Sequence, residues 1–241
     1  MILVAVIIIG VAGKRADESL DNSDSSDAIV ENTPGKDSEG RECVDLGLPG
    51  GVLWATCNVG ASKPEEAGLY FAWGETKGYA KGNSHDFSWA SYKWCNGSYD
   101  SMTKYCTSSI YGTVDNKTVL VPRDDAATVN CGSGWRMPTA QEMRDLFDNK
   151  YTTTEWVTVN GVKGRKITSK SNGNSIFLPA AGYRYGASRR GGSLGYYWSS
   201  SLSDSNCSGA YRLYFDSSGI GWNYGGRCYG QSVRAVRVYS E

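Results

Sequence analysis

Three pieces of the C-terminal stretch decide the fold: Gly195-Tyr-Tyr-Trp-Ser-Ser-Ser201, Ala210-Tyr-Arg-Leu-Tyr-Phe215 and Gln231-Ser-Val-Arg-Ala-Val-Arg-Val238. In each piece apolar or aromatic residues alternate with polar ones, which is the period-two pattern of half-buried strands. The segments between them, residues 202–209 and 217–227, are rich in Gly, Ser, Asn and Asp, and the second adds the large side chains of Ile220, Trp222 and Tyr224. The pattern predicts a rigid sheet that carries two aromatic loops, an arrangement typical of recognition surfaces.

These two loops contain the predicted ligand-binding residues. Trp222 and Tyr224 would stack on a sugar face or fill an apolar pocket of a protein partner, while amides and hydroxyls set the orientation. The alternative interpretation is that both aromatic residues continue a strand and pack inward. The predicted set is Ser203, Asp204, Asn206, Trp222, Asn223, Tyr224 and Arg227.

The composition limits the class of protein. A chain of 241 residues is long enough for one sizeable domain and a tail. The formal net charge is zero, so the sequence carries no electrostatic footprint for nucleic acid or for an anionic membrane. Thirty Gly, 16 Tyr and 8 Trp indicate many turns and many aromatic side chains with a polar group.

The first 41 residues differ from the rest. Residues 1–13 are mostly apolar, too short to span a bilayer, which needs about 20 residues, and typical of the apolar core of a secretory signal. Lys14 stands where a lipoprotein signal would need its acylated Cys, so a cleaved signal and an uncleaved membrane-associated tail both stay open. Residues 14–41 are rich in Ser, Asp and Glu and predict a disordered acidic linker. The folded domain is expected at residues 42–241.

Local signals add helices and turns to this sheet. Thr139 with Glu142 forms a capping box, and it predicts a helix over residues 139–149. Asn160-Gly161 predicts a hairpin with a mirror-image turn. Asp124 is expected to cap a short helix, and residues 77–119 read as a long loop pinned by aromatic side chains. The resulting prediction is an α+β fold, strand-rich with few short helices and long loops.

Seven residues are predicted to serve the scaffold rather than a ligand. We expect Arg136 to pair with Glu142, and Arg184 or Arg234 to bond to backbone near Trp198, because an unpaired buried charge is costly. The full set is Trp54, Trp135, Arg136, Glu142, Arg184, Trp198 and Arg234.

The seven cysteines are an odd number, so at least one is free or pairs between chains. Two bridges are candidates, Cys95 with Cys106 and Cys207 with Cys228. For Cys57 and Cys131, a reduced buried state and a bridge between them both stay open.

Several separated motifs carry a family resemblance. They are Gly134-Trp-Arg-Met-Pro-Thr139, Leu178-Pro-Ala-Ala-Gly-Tyr-Arg184, Tyr197-Trp-Ser-Ser-Ser201 and Ser232-Val-Arg234. In this order they resemble the Fibrobacter succinogenes major paralogous domain family, over roughly residues 43–237. The resemblance implies a C-type-lectin-like fold, in the branch of formylglycine-generating enzymes and the variable proteins of diversity-generating retroelements. It also implies an exported or cell-surface protein, because the members of that family are of this kind. Most of them have no known activity.

The chemistry of an enzyme is sparse in this sequence. Formylglycine-generating enzymes bind copper through two cysteines near the C-terminus, for which the resemblance offers only Cys207 and Cys228, and in an exported protein a disulfide is the preferred interpretation. His85 is the only histidine, which argues against a His-based metal site. We therefore expect no catalytic residue, no metal and no cofactor. The expected partner is a glycan or protein on another cell or surface, and membrane contact is expected only through the N-terminal segment. The alternatives are an oxidase or hydrolase of the related fold, and a structural envelope protein without a ligand.

Overall fold

The computed structural model describes residues 35–37 and 40–238. Within them the chain is strand-rich with a few short helices, which confirms the α+β class. The helices are a 3-10 turn (Pro122–Asp124), α1 (Ala126–Cys131) and α2 (Ala140–Asp145). The strands are β1 (Gly35–Lys36), β2 (Glu42–Asp45), β3 (Val52–Ala55), β4 (Trp135–Arg136), β5 (Thr152–Val159), β6 (Val162–Ser169), β7 (Ser175–Pro179), β8 (Tyr183–Tyr185), β9 (Ser188–Arg190), β10 (Gly195–Leu202), β11 (Gly209–Phe215), β12 (Ile220–Gly226) and β13 (Val236–Val238). None of the helices in these ranges is long and apolar enough to cross a membrane.

A five-stranded antiparallel sheet joins the two ends of the described chain. Its strand order is β1-β2-β3-β13-β4, so the last strand lies between two strands from much earlier in the sequence. Val236 of β13 is opposite Trp54 of β3 on one side and Arg136 of β4 on the other. The Trp54 side chain is fully buried, in a core shared with α2 and the C-terminal sheet.

The predicted linker ends earlier than the sequence pattern suggests. Gly35 and Lys36 pair with Cys43 and Glu42, and the Trp135 indole N–H donates to the Asp37 carboxylate at 2.7 Å. The linker prediction is therefore corrected for the described residues up to 41, because strand pairing and a buried indole hold this segment in place. The predicted signal segment and the rest of the linker lie outside the described residues.

Two local predictions agree with the structure in detail. At the β5-β6 hairpin, Asn160 and Gly161 have φ angles of 48° and 81°, the pair of positive values that a mirror-image turn requires. At α2, the Thr139 hydroxyl accepts from the Glu142 N–H at 3.2 Å, and the Thr139 N–H donates to the Glu142 carboxylate at 2.8 Å. The α-helix ends at Asp145, four residues before the predicted end, and the chain continues in turns.

Residues 56–121 contain no helix or strand longer than an isolated bridge, in keeping with the predicted long excursion. The Trp73 side chain attaches it to the core, because its indole donates to the Ser199 carbonyl at 2.8 Å, and within the excursion the Tyr92 hydroxyl donates to the Trp73 carbonyl at 2.7 Å. The predicted cap at Asp124 is wrong by one residue. Asp125 caps α1, while Asp124 accepts from the Tyr105 hydroxyl at 2.6 Å at the end of the excursion.

All three scaffold arginines find acceptors, and those of Arg136 are the expected ones. Arg136 forms the predicted pair with Glu142 through two contacts of 2.7 and 2.6 Å. Arg184 and Arg234 are buried and bond to backbone carbonyls of other segments, including those of His85 and Phe177, rather than to backbone near Trp198. The fully buried indole of Trp198 donates instead to the Phe71 carbonyl at 2.9 Å.

The Arg136–Glu142 pair makes stability depend on pH. Burial alone would raise the pKa of Glu142, but the hydrogen bonds from Arg136 and Thr139 outweigh it and lower the pKa. A carboxylate with a lowered pKa in the folded state stabilises the protein above its unfolded pKa, and this contribution is lost as the pH falls through the folded value. The pH range over which this stabilisation is lost therefore begins near the ordinary glutamate pKa of about 4.3 and extends to lower pH.

We expect Glu142→Gln to reduce the free energy of unfolding at pH 7 by about 2 kcal/mol, the range for a hydrogen bond to a charged group. The difference in the free energy of unfolding between parent and variant should become smaller as the pH is lowered from 5 to 3. Urea unfolding at each pH measures this difference. Glu155→Gln, at an exposed position of β5, is the matched control. A gap that stays constant down to pH 3 would contradict the assigned role of Glu142.

Candidate functional site

The register of β11 and β12 decides which predicted residues lie together. Tyr211 is opposite Tyr224, Arg212 is opposite Asn223, and Leu213 is opposite Trp222. Directly opposed residues share a face of an antiparallel sheet, and successive residues alternate between faces. The predicted second loop is therefore mostly a strand, and its side chains divide between two faces.

Aromatic and charged side chains lie together on the first face. We call Arg144, Asp204, Tyr211, Trp222 and Tyr224 the Trp222 patch. The ring centroids of Tyr211 and Trp222 are 5.0 Å apart, and the Arg144 guanidinium carbon lies 4.6 Å from the centre of the Trp222 ring. The Tyr211 hydroxyl donates to the Asp204 carboxylate. Trp222 is 40% exposed and Tyr224 is 46% exposed. The alternative interpretation is thus half right, because both residues continue a strand but neither is packed away from solvent.

The first predicted loop, between β10 and β11, borders this patch. A Cβ atom on Gly209 would lie 2.9 Å from the Tyr224 ring and 3.4 Å from the Asn206 side-chain oxygen, so both side chains sit closely over this glycine. Asn206 is half-buried and accepts from the Ser208 hydroxyl at 2.8 Å. The loop therefore places an amide beside Tyr224 in a fixed orientation.

Two predicted ligand contacts are buried instead. Ser203 is 2% exposed, and its hydroxyl accepts from the Ser205 N–H at 3.2 Å inside the loop. Arg227 is 0% exposed and donates to the Cys207 carbonyl at 2.7 Å and to the Tyr92 hydroxyl at 2.9 Å. The prediction that Ser203 and Arg227 contact a ligand is therefore corrected, because neither side chain reaches the surface.

Asn223 belongs to the second face, with residues that sequence reasoning missed. It accepts from Arg212 Nε at 2.9 Å, and the Arg212 guanidinium carbon lies 4.6 Å from the centre of the Tyr196 ring. Tyr183 follows at 5.1 Å from Tyr196, and Tyr229 at 5.8 Å from Tyr183, measured between ring centroids. We call these five residues the Arg212 cluster. The signal in the sequence was the tyrosine and arginine at the polar positions of β10 and β11.

None of the cysteines is joined in a disulfide, so the predicted Cys95–Cys106 and Cys207–Cys228 disulfides are wrong for this structure. Cys207 instead lies beside Cys106, which is hydrogen-bonded to it, and its sulfur accepts from the Thr107 N–H at 2.9 Å. Burial alone would raise the pKa of Cys207, but these hydrogen bonds outweigh burial and lower it. Burial raises the pKa of Cys228 to about 12. The neighbour of Cys207 therefore comes from the long excursion.

A cleft of about 490 Å³ lies elsewhere on the molecule. Its walls include Thr56 and Cys57, which follow β3, together with Cys131 at the end of α1 and Trp135 of β4. None of the predicted ligand residues lines it. Within residues 35–37 and 40–238, no three His, Cys, Asp or Glu side chains are grouped in a way that could hold a metal ion.

Comparison with known proteins finds a family match for the C-terminal part of the chain. A family model described as a domain of unknown function (DUF8237) matches residues 152–238, a segment that begins with β5 and includes both faces of the C-terminal sheet. No curated protein and no solved structure matches the chain. Over the segment that carries both the Trp222 patch and the Arg212 cluster, the chain is thus similar to a domain whose function is unknown.

Proposed function

We propose that the protein is an exported or surface-displayed binding module that recognises a glycan or a protein ligand through the Trp222 patch. The observation that carries this proposal is the pair of exposed aromatic side chains on β12, fixed by Tyr211 and Arg144. Large aromatic rings held in place before binding contribute contact area at a small cost in conformational entropy. Asp204 and Asn206 supply the hydrogen-bonding groups that orient a ligand.

The fold assignment within this proposal is C-type-lectin-like. The order of the motifs between residues 134 and 234 supports it, as does a strand-rich domain with long loops. The same resemblance supports display outside the cell and leaves room for a C-terminal segment that is diversified between relatives. Binding without catalysis is the activity we assign, and no cofactor is required for it.

The test is binding of the full chain to an immobilised panel of host and microbial glycans and surface proteins. We expect the parent to bind a member of the panel, and Trp222→Ala with Tyr224→Ala to weaken that binding by roughly 30-fold or more, the range of interface hot spots. Tyr99→Ala is the matched control, because Tyr99 is 53% exposed on a turn of the long excursion.

Biolayer interferometry measures the affinities, and the melting temperature of each variant is checked beside it. Equal binding by the parent and the folded double variant would place the site elsewhere. Absence of any binding by the parent would favour a structural role, and turnover of a panel member would favour the enzymatic alternative.

A further inference from the structure

Arg212 is a cation without a counter-charge. Its Nε donates to Asn223, but among the described residues no carboxylate lies within ion-pair distance of it, and its two terminal nitrogens have no protein acceptor. Both terminal nitrogens of Arg212 are accessible to solvent. A guanidinium stays protonated in proteins and carries five N–H donors, so Arg212 presents an uncompensated positive charge with four free N–H groups on its two terminal nitrogens.

The surroundings of Arg212 are built from tyrosines. The guanidinium stacks on Tyr196, and Tyr183, Tyr229 and Tyr185 continue the row, with 5.1 Å between the Tyr185 and Tyr229 rings. Within the part of the chain that the structure describes, the hydroxyls of these four tyrosines make no hydrogen bond. Burial lowers the pKa of Arg212, and the three nearest tyrosines oppose this effect. The donors and acceptors of this face are therefore available to a ligand.

The position of the guanidinium depends on a glycine. A Cβ atom on Gly225 would lie 2.6 Å from one terminal nitrogen of Arg212 and 2.7 Å from its central carbon. Real side chains do not approach so closely, so any other residue at position 225 would displace the guanidinium. Because Gly225 of β12 has no side chain, the Arg212 guanidinium can lie directly over the backbone at this position.

We propose that the Arg212 cluster is a second binding site, on the sheet face opposite the Trp222 patch, for the carboxylate of an acidic sugar residue. The planar fork of a guanidinium matches a carboxylate with two parallel hydrogen bonds. One cation matches the single charge of a carboxylate. The tyrosine rings offer flat surfaces to a sugar ring, and their hydroxyls can bond to its hydroxyl groups.

The experiment uses the full chain and a matched pair of probes: an oligosaccharide of glucuronic acid units, and the same oligosaccharide with its carboxylates reduced to alcohols. We expect the parent to bind the acidic form roughly tenfold or more tightly than the reduced form, since charged hydrogen bonds are about twice as strong as neutral ones. Arg212→Gln should abolish this preference. Gly225→Ala should weaken it while every charge is retained.

The Trp222→Ala, Tyr224→Ala double variant should keep the preference for the acidic probe, because its substitutions lie on the other face. This arm separates the second site from the proposed function: the acidic probe can bind when the Trp222 patch binds nothing. Equal affinity of the parent for both probes, no binding of either, or an unchanged preference in folded Arg212→Gln would overturn the proposal. So would equally tight binding of an oligoglutamate peptide, which would make the ligand a protein.

Discussion

Replacing Arg227 with Met is expected to lower the free energy of unfolding by about 4 kcal/mol, since each buried acceptor left without its donor costs about 1–3 kcal/mol. The guanidinium is fully buried and donates to the Tyr92 hydroxyl and to the carbonyls of Lys104, Tyr105 and Cys207, at 2.7 to 3.1 Å. Met fills much of the volume but donates no hydrogen bond. A loss of this size is a large part of the stability of an ordinary domain, which is about 5–15 kcal/mol.

The physical reason for so large an effect is that Arg227 connects distant segments. It follows β12 directly, and its partners lie in the long excursion and in the loop before β11. Its guanidinium carbon also lies 4.9 Å from the centre of the Trp73 ring. Without these contacts the excursion loses a main attachment to the C-terminal sheet.

Urea unfolding of parent and variant measures the difference. Arg123→Met is the control, because Arg123 is exposed and should change the free energy by less than about 0.5 kcal/mol. A loss below 1 kcal/mol in Arg227→Met would show that the excursion is held by its apolar contacts alone.

Gly195→Ala is expected to lower the free energy of unfolding by about 3 kcal/mol, at the upper end of the usual range for overpacking. An added Cβ would lie 2.0 Å from the Phe215 ring, which is opposite Gly195 in the β10-β11 pair and fully buried. The ring cannot move aside freely, because it is stacked on Tyr197 with centroids 5.9 Å apart and packs against Trp156 at 6.3 Å.

For a domain of this size, such a loss corresponds to a fall in melting temperature of roughly 6–12 °C. Gly219→Ala is the matched control in the β11-β12 turn, because a Cβ there meets no atom within 4 Å. An equal melting temperature for the two variants would contradict this prediction, because it would show that the Phe215 ring can move to another position without loss of stability.

The elements that the sequence predicted well are those specified by neighbouring residues. The Thr139–Glu142 capping box and the Asn160-Gly161 turn need only a few consecutive residues, and both are present. β12 was predicted only as the alternative to a loop, because Ile220-Gly-Trp-Asn-Tyr-Gly-Gly226 has aromatic side chains at exposed positions and glycine at the less exposed ones, so it lacks the alternation of an ordinary half-buried strand. The burial of Arg227 was missed because its acceptors are more than 100 residues away in the sequence, apart from Cys207.

The candidate site was predictable only in part, for a similar reason. Trp222 and Tyr224 are exposed side chains of unusual size for a surface strand, and the composition of the segment pointed to them. That Asn223 faces the other way, beside Arg212, follows from strand register, which depends on the pairing of β11 and β12. The cysteine neighbours also depend on tertiary structure, because Cys106 and Cys207 are brought together across a hundred residues.

The place of β13 in its sheet sets the order in which the molecule can be assembled. During synthesis β3 and β4 leave the ribosome well before β13, yet each is paired with β13 in the finished sheet. Contacts between residues so far apart form slowly, and strand edges that wait for a partner are exposed to aggregation. A nascent chain that has not reached residue 236 therefore cannot complete this sheet, and the edges of β3 and β4 stay unpaired until it does.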